Sequence, residues 1–333
     1  MIPPSLLVTA SPHLKGPATT PIIMWNVVGA LVPIVVAAGY FFGVGVLLVV
    51  AAATLGAVLT ELVLGSRRAL RDGSGAITGL LLGLTLPPGL PLWMAFVGGV
   101  FAIALGKLIF GGLGQNIFNP ALVGRAFLQA AFPVAITTWP AGTGGFWNLA
   151  SGQTALPLMT GTSVDAVTGA TPLGLLKFEG ATTPLPNLLL GTVPGSAGET
   201  SAIIIVVCGL YLALRNFLNW RIPLSILLSV GALSGFVHLL DAARPSPLFM
   251  LMSGGLMLGA WFMATDMVTS PVTHKGCWIF GTGIGVLVVI IRLWGGLAEG
   301  VMYAILLMNA LVPYINQWTQ PRVFGTRQQE AAR

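Results

Sequence analysis

The chain has 333 residues, of which 55% are hydrophobic and only 7% charged. Soluble domains carry about a quarter of charged residues, so this supply cannot cover a water-facing surface, and a soluble enzyme or binding module is excluded. The net charge of +6 does not point to nucleic acid, because the Lys and Arg residues are scattered between apolar runs, where membrane topology accounts for them.

Met1 to Thr20 lack the positive, apolar, small-residue order of a signal peptide, so none is expected. Apolar stretches of membrane-spanning character follow near 22–42, 44–64, 75–90, 91–110, 119–137, 200–218, 222–240, 247–265, 277–295 and 297–315. The third is doubtful as a full crossing. Its run from Gly75 to Leu86 stops at Pro87-Pro88 and covers about 18 Å of a core of about 30 Å. Charge placement decides for a crossing, broken or tilted. With ten crossings and a cytoplasmic N-terminus, only Lys177, Arg244 and Arg292 of the 15 basic residues lie outside, as the excess of inner positive charge requires. Without the third crossing the distribution is nearly even.

The halves look related. A shift of 184 positions places Gly75 on Gly259, Pro87 on Pro271, and Gly111-Gly112-Leu113 on Gly295-Gly296-Leu297. Five crossings per half make an inverted repeat, in which interrupted helices form midplane sites. The expected interruptions are Thr85 to Pro88 and Thr265 to Pro271. The expected fold is an all-α polytopic membrane protein of about ten transmembrane helices in two inverted five-helix repeats. Its parts are a cytoplasmic segment (1–21), a first repeat (22–137), an outer-face loop (138–199), a second repeat (200–315) and a cytoplasmic tail (316–333).

Several polar groups interrupt this pattern. Asn119 with Pro120 is an ordinary helix start, and the Gly-rich approach from Gly111 would also suit an anion or the edge of a flavin ring. Arg125 lies beyond it, where snorkelling to the inner boundary is the simplest account. Asp266 at membrane depth needs a partner, water or a function, with His274 and Lys275 as candidate partners. Glu61 is expected to form a boundary salt bridge with Arg67 or Arg68, and His238 to be structural. Gly198-Glu199-Thr200-Ser201 has the chemistry of a helix cap. Cys208 and Cys277 sit in apolar runs without CxxC or Cys/His spacing, so this chain alone supplies neither a disulfide framework nor an iron–sulfur cluster.

The outer loop contains Asp165-Ala166-Val167-Thr168-Gly169-Ala170-Thr171-Pro172. Pro172 pushes Thr171 out of the helical region, so an extended, exposed Thr is expected. The run resembles a flavin-transferase acceptor: Asp, two variable residues, Ser or Thr, Gly, Ala and the acceptor Thr. It stands in order with GQNIFNPALVGRAF (Gly114–Phe127), GETSA (Gly198–Ala202) and ATDMVTSP (Ala264–Pro271). Together these resemble the RnfD family, membrane subunits of the Rnf ferredoxin:NAD oxidoreductase complexes. They also resemble the related NqrB family of the sodium-translocating NADH:quinone reductase. The likeness extends over about residues 20 to 315.

The resemblance implies FMN joined through its phosphate to Thr171 by a separate flavin transferase using FAD. It also implies a second, non-covalent flavin, riboflavin, within the membrane. Asp165, Thr168, Gly169 and Ala170 would belong to the acceptor site, with Glu199 and Thr200 near the FMN. Asn116, Asn119, Arg125 and Asp266 would be candidates for the second flavin. The chain would carry electrons in an ion-translocating complex of a bacterial inner membrane, among other Rnf subunits and lipid, coupled to Na⁺ or H⁺. Met267 departs from the family pattern, which often has Pro there, and this loosens the expected break. The short approach to the first helix favours the Rnf subunit. The quinone-reductase subunit and a stand-alone transporter with inverted repeats are the alternatives.

Overall fold

A computed structural model describes residues 18–65, 72–139, 146–147, 149–150, 152–157, 169–191, 193–199, 201–242 and 244–321. Among these residues every regular element is helical. In order they are α1 (Thr20–Phe42), α2 (Val44–Leu64), α3 (Ser74–Thr85), α4 (Leu92–Gly106), α5 (Pro120–Ala131) and α6 (Pro133–Thr137). Then come α7 (Pro172–Gly174, continued by a wide turn over Leu175–Glu179), α8 (Leu185–Leu190), α9 (Ala202–Leu214) and α10 (Arg221–Leu240). The last are α11 (Pro247–Met252), α12 (Leu256–Leu258, continued by a wide turn over Gly259–Met263), α13 (His274–Trp294) and α14 (Val301–Trp318).

Each of the ten apolar stretches is represented by helix. Among the described residues, five helices are long and apolar enough to cross a membrane: α1, α2, Leu92–Phe110, α10 and α13. At 23 residues, α1 measures about 35 Å against a hydrocarbon core of about 30 Å. The chain is thus a multi-pass membrane protein. α3 and α9 are apolar but shorter, and the eighth stretch is split into α11 and α12 by Ser253-Gly254-Gly255, a division the sequence reading lacks.

In lipid, helices associate by close packing of small residues, and both halves use it. Gly79 and Gly83 of α3 lie directly against the backbone of Thr54 and Val50 on α2, leaving no room for a Cβ. Gly281 and Gly285 of α13 face the hydroxyls of Ser225 and Ser229 on α10 in the same way. α2 packs chiefly on α4 and α3, and α10 on α13, so each half has its own tightly packed pair. α1 and α2 are joined by Gly43 alone, with φ 81°, a left-handed conformation that glycine adopts freely.

The halves meet at two buried amides. Asn119 Nδ2 donates to the Met263 carbonyl at 3.0 Å, and the Asn309 amide, oriented to satisfy both sides, accepts from Asn119 N at 3.1 Å and donates to the Thr269 carbonyl at 3.3 Å.

The stretch 138–199 is more than a loop. Gln153 is fully buried and donates to the carbonyls of Gly45 at 2.8 Å and Pro88 at 3.0 Å, fastening this stretch to the first half. Further on, Leu173 and Leu188 pack with Phe249, and Lys177 Nζ donates to the carbonyls of Gly295 and Leu297 at 2.5 and 2.6 Å. Lys177 thereby holds the end of α13, and desolvation lowers its pKa from the ordinary lysine value. The chain around Thr171 is fixed to the second half.

Candidate functional site

Two cavities carry the polar residues of interest. One opens beside Thr171 and encloses about 730 Å³ including its mouth, with Arg125, Trp139, Thr171, Glu199, Glu299 and Tyr303 among its walls. The other encloses about 790 Å³ including its mouth, with Ser74, Lys107, Asn116, Asn119, Trp261 and Asp266 among its walls. α5 touches both, through Asn119 at its start and Arg125 in its second turn. Six residues of helix separate these positions, about 9 Å, so the cavities are close neighbours.

Thr171 has φ −65° and ψ 155°, the extended backbone that a following proline imposes. It is half-buried, where the sequence reading expects an exposed turn. Its Oγ1 accepts a hydrogen bond from Gly174 N at 3.1 Å, capping α7. Gly169 N donates to the Trp139 carbonyl at 2.9 Å, which ties the segment to another wall residue of this cavity. Ala170 is exposed. Asp165, Thr168 and Thr200 lie outside the described residues.

Arg125 belongs to this cavity and not to the one around Asp266. It is buried, pairs with Glu299 at 3.3 Å, and its Nε has no hydrogen-bond partner. Snorkelling is therefore replaced by a cross-half ion pair whose spare donor is buried at the Thr171 cavity. Glu299 also accepts from Gly255 N, so this carboxylate binds α5, the α11–α12 turn and the start of α14 into one unit. Glu199 does not cap α9. The capping position is Ser201, which makes no side-chain cap bond and donates instead to the Leu189 carbonyl at 3.1 Å. Glu199 is freed to line the cavity.

The Asp266 cavity brings together three of the four candidates for a second flavin. Asn119 Oδ1 accepts from Ala121 N at 3.0 Å and Leu122 N at 3.4 Å, the cap expected of Asn before Pro. With its Nδ2 on Met263, Asn119 is first a joint between the halves. Asn116 Nδ2 donates to the Phe118 carbonyl at 3.3 Å. Asp266 accepts from Val268 N and Thr269 Oγ1, each at 3.3 Å. These bonds turn the chain between Met263 and α13, so the break forms without a proline at 267. His274 and Lys275 are not its partners; they start α13 and line a separate surface cleft. His238 Nδ1 donates to the Arg244 carbonyl at 2.7 Å, in keeping with a structural role.

Two groups here escape the sequence reading. Lys107 is 2% exposed and Glu61 1%, and they form an ion pair, so Glu61 is a buried partner of Lys107 instead of a boundary partner of Arg67 or Arg68. A charged residue at each end of two neighbouring apolar runs was the available signal. Trp261 lies in the wide turn after α12, is 8% exposed, and its Nε1 has no partner. Such turns recur at functional sites.

The family model described as the NQR2, RnfD, RnfE family matches residues 7–325. The D subunit of the proton-translocating ferredoxin:NAD(+) oxidoreductase complex of Clostridium ljungdahlii is 43% identical over 335 residues, 96% of each chain. The D subunit of the Na(+)-translocating ferredoxin:NAD(+) oxidoreductase complex of Acetobacterium woodii is 42% identical over 330 residues, again 96% of each chain. The D subunit of the ion-translocating oxidoreductase complex of Stutzerimonas stutzeri is 45% identical over 275 residues, 78% of this chain and 77% of that one.

Proposed function

The chain belongs to the NQR2, RnfD, RnfE family, and from that premise we propose that it is a flavin-carrying electron-transfer subunit of an ion-translocating oxidoreductase complex. Its relatives, named as D subunits of ferredoxin:NAD(+) oxidoreductase complexes, favour this over the quinone-reductase subunit. The reading gives the chain no complete active site of its own. Its partners are the other subunits of the complex, the lipid of a bacterial inner membrane, and a flavin transferase during maturation. Ten crossings in two inverted repeats, with Thr171 on the outer face, complete the reading. Its support is the helix found in all ten stretches and the matching pair of small-residue packings.

The observation that carries it is the position of Thr171. The last residue of the acceptor-like motif sits on the wall of a cavity, on a backbone secured by Gly169 and Leu173. In the attachment step the Thr171 oxygen bonds to the FMN-side phosphorus of FAD, the pyrophosphate bond breaks and AMP leaves. The hydroxyl proton passes to solvent. The residues present suit such a group, because the unpartnered Arg125 Nε offers a cationic donor and Trp139 and Tyr303 offer aromatic surface. Asp165, Thr168, Gly169 and Ala170 serve recognition by the transferase.

The Asp266 cavity suits a second, non-covalent flavin, riboflavin. Trp261 offers an unsatisfied ring N–H, and Asn116 and Asp266 offer polar edges. Flavins supply one- and two-electron transfer, and the protein supplies position and electrostatics. Asn119 fixes α5 relative to the second half, which sets the spacing of the two cavities.

In-gel flavin fluorescence after denaturation tests the attachment. Co-expressed with a flavin transferase, the wild-type chain fluoresces and Thr171→Ala does not. Fluorescence that persists in the variant removes Thr171 from the reading, and its absence from both chains returns the molecule to a transporter without flavin.

A further inference from the structure

Glu61 leaves α2 toward the start of α3, where Gly75 has no side chain and a Cβ would collide with the Glu61 carboxylate. Lys107, just past α4, reaches the same spot and donates to the Glu61 carboxylate and the Ser74 hydroxyl. Ser74 Oγ in turn donates to Asp72 Oδ1 at 2.6 Å. The pair is thus held by three segments and is almost without solvent contact.

Its orientation is what matters. Lys107 and Ser74 line the Asp266 cavity, and Glu61 does not. The cavity therefore meets the positive end of a buried dipole, in surroundings where electrostatic interactions are poorly screened. Asp266 is the other charged residue among the walls. A buried ion pair is a weak source of stability, because an apolar pair of similar volume often serves as well. The field of this pair at the cavity is its distinctive property.

We propose that the Lys107–Glu61 pair raises the reduction potential of the flavin in the Asp266 cavity, which rests on the reading that this cavity holds one. Two electrons and one proton convert an oxidised isoalloxazine ring into a reduced ring with one negative charge. A fixed cation beside the ring favours that reduced form. The electrons come from the partner subunits and the proton from water.

The test uses the full-length chain in lipid nanodiscs with Thr171→Ala throughout, so that the only flavin is the one released by denaturation. Its potential is measured by spectrophotometric titration. Lys107→Met with Glu61→Gln, which removes both charges, lowers the reduced-to-oxidised ratio at fixed ambient potential at least tenfold, about 30 mV for a two-electron couple. Glu61→Gln alone leaves an uncompensated cation and shifts the potential upward, and Lys107→Arg keeps the parent value. Equal potentials in all chains, each still holding flavin, overturn the proposal and leave the cavity reading standing. A parent chain without releasable flavin overturns the cavity reading, and the proposal with it.

Discussion

Thr171 Oγ1 accepts from Gly174 N and also stands on a cavity wall, so substitution there removes a helix cap and a hydroxyl together. The two roles separate by chemistry. Thr171→Ser keeps the cap and a hydroxyl and retains covalent flavin in the gel, whereas Thr171→Asn keeps a good cap and loses the flavin. Loss of the cap alone costs about 1 kcal/mol, too little to unfold the chain. The buried pair gives a second expectation at this scale. Lys107→Met strands the Glu61 carboxylate and costs about 3–5 kcal/mol. Lys107→Met with Glu61→Gln recovers most of that, which the thermal unfolding midpoints of the two chains in detergent would show. The extended backbone of Thr171 and the Asn119-Pro120 cap were legible because each is a local rule: Pro fixes its predecessor, and Asn before Pro caps a helix. The partners of Glu61, Arg125 and Asp266 were not legible, because each choice depends on how helices distant in sequence pack.

At the scale of elements, the helix pairs are set by small residues facing small residues. Gly281 meets the Ser225 hydroxyl where its own Cβ would lie. Gly281→Ala therefore pushes α13 off α10 and costs about 1–3 kcal/mol. Gly281→Ala with Ser225→Gly restores only part of the loss, because the Ile222 carbonyl still stands 2.8 Å from that Cβ, read as the fraction of folded chain after mild heating. Gln153 makes a comparable case in the long interruption. Gln153→Ala leaves the carbonyls of Gly45 and Pro88 without this donor, about 1–3 kcal/mol for a buried group left unmade. The interruption then becomes more sensitive to limited proteolysis while the helices remain. Hydropathy found the five helices that, among the described residues, are long and apolar enough to cross a membrane, because burial in lipid demands long apolar runs. It missed the division at Ser253-Gly254-Gly255, since two short apolar helices and one long one have the same composition. It also read 138–199 as a loop. The helices from Pro172 to Leu190 are short, and they gain their order from packing on Phe249 and from Lys177 at the end of α13.

For the whole molecule, two packed halves are joined at Asn119, Asn309 and the Arg125–Glu299 pair, with Asn119 on the wall of one cavity and Arg125 on the wall of the other. α5 connects the cavities over about 9 Å of helix, a spacing that suits the proposed transfer between two flavins. A reporter fused near residue 180 is expected to be active outside the membrane, and cytoplasmic activity at that position contradicts the ten-crossing topology. The central claim is that Thr171 carries the flavin, and the mass of the peptide containing Thr171 tests it most directly. In the chain isolated from cells with its transferase, the account predicts that this peptide is heavier by FMN less one water, with the added group on Thr171. An unmodified peptide, or the same group on another residue, contradicts it.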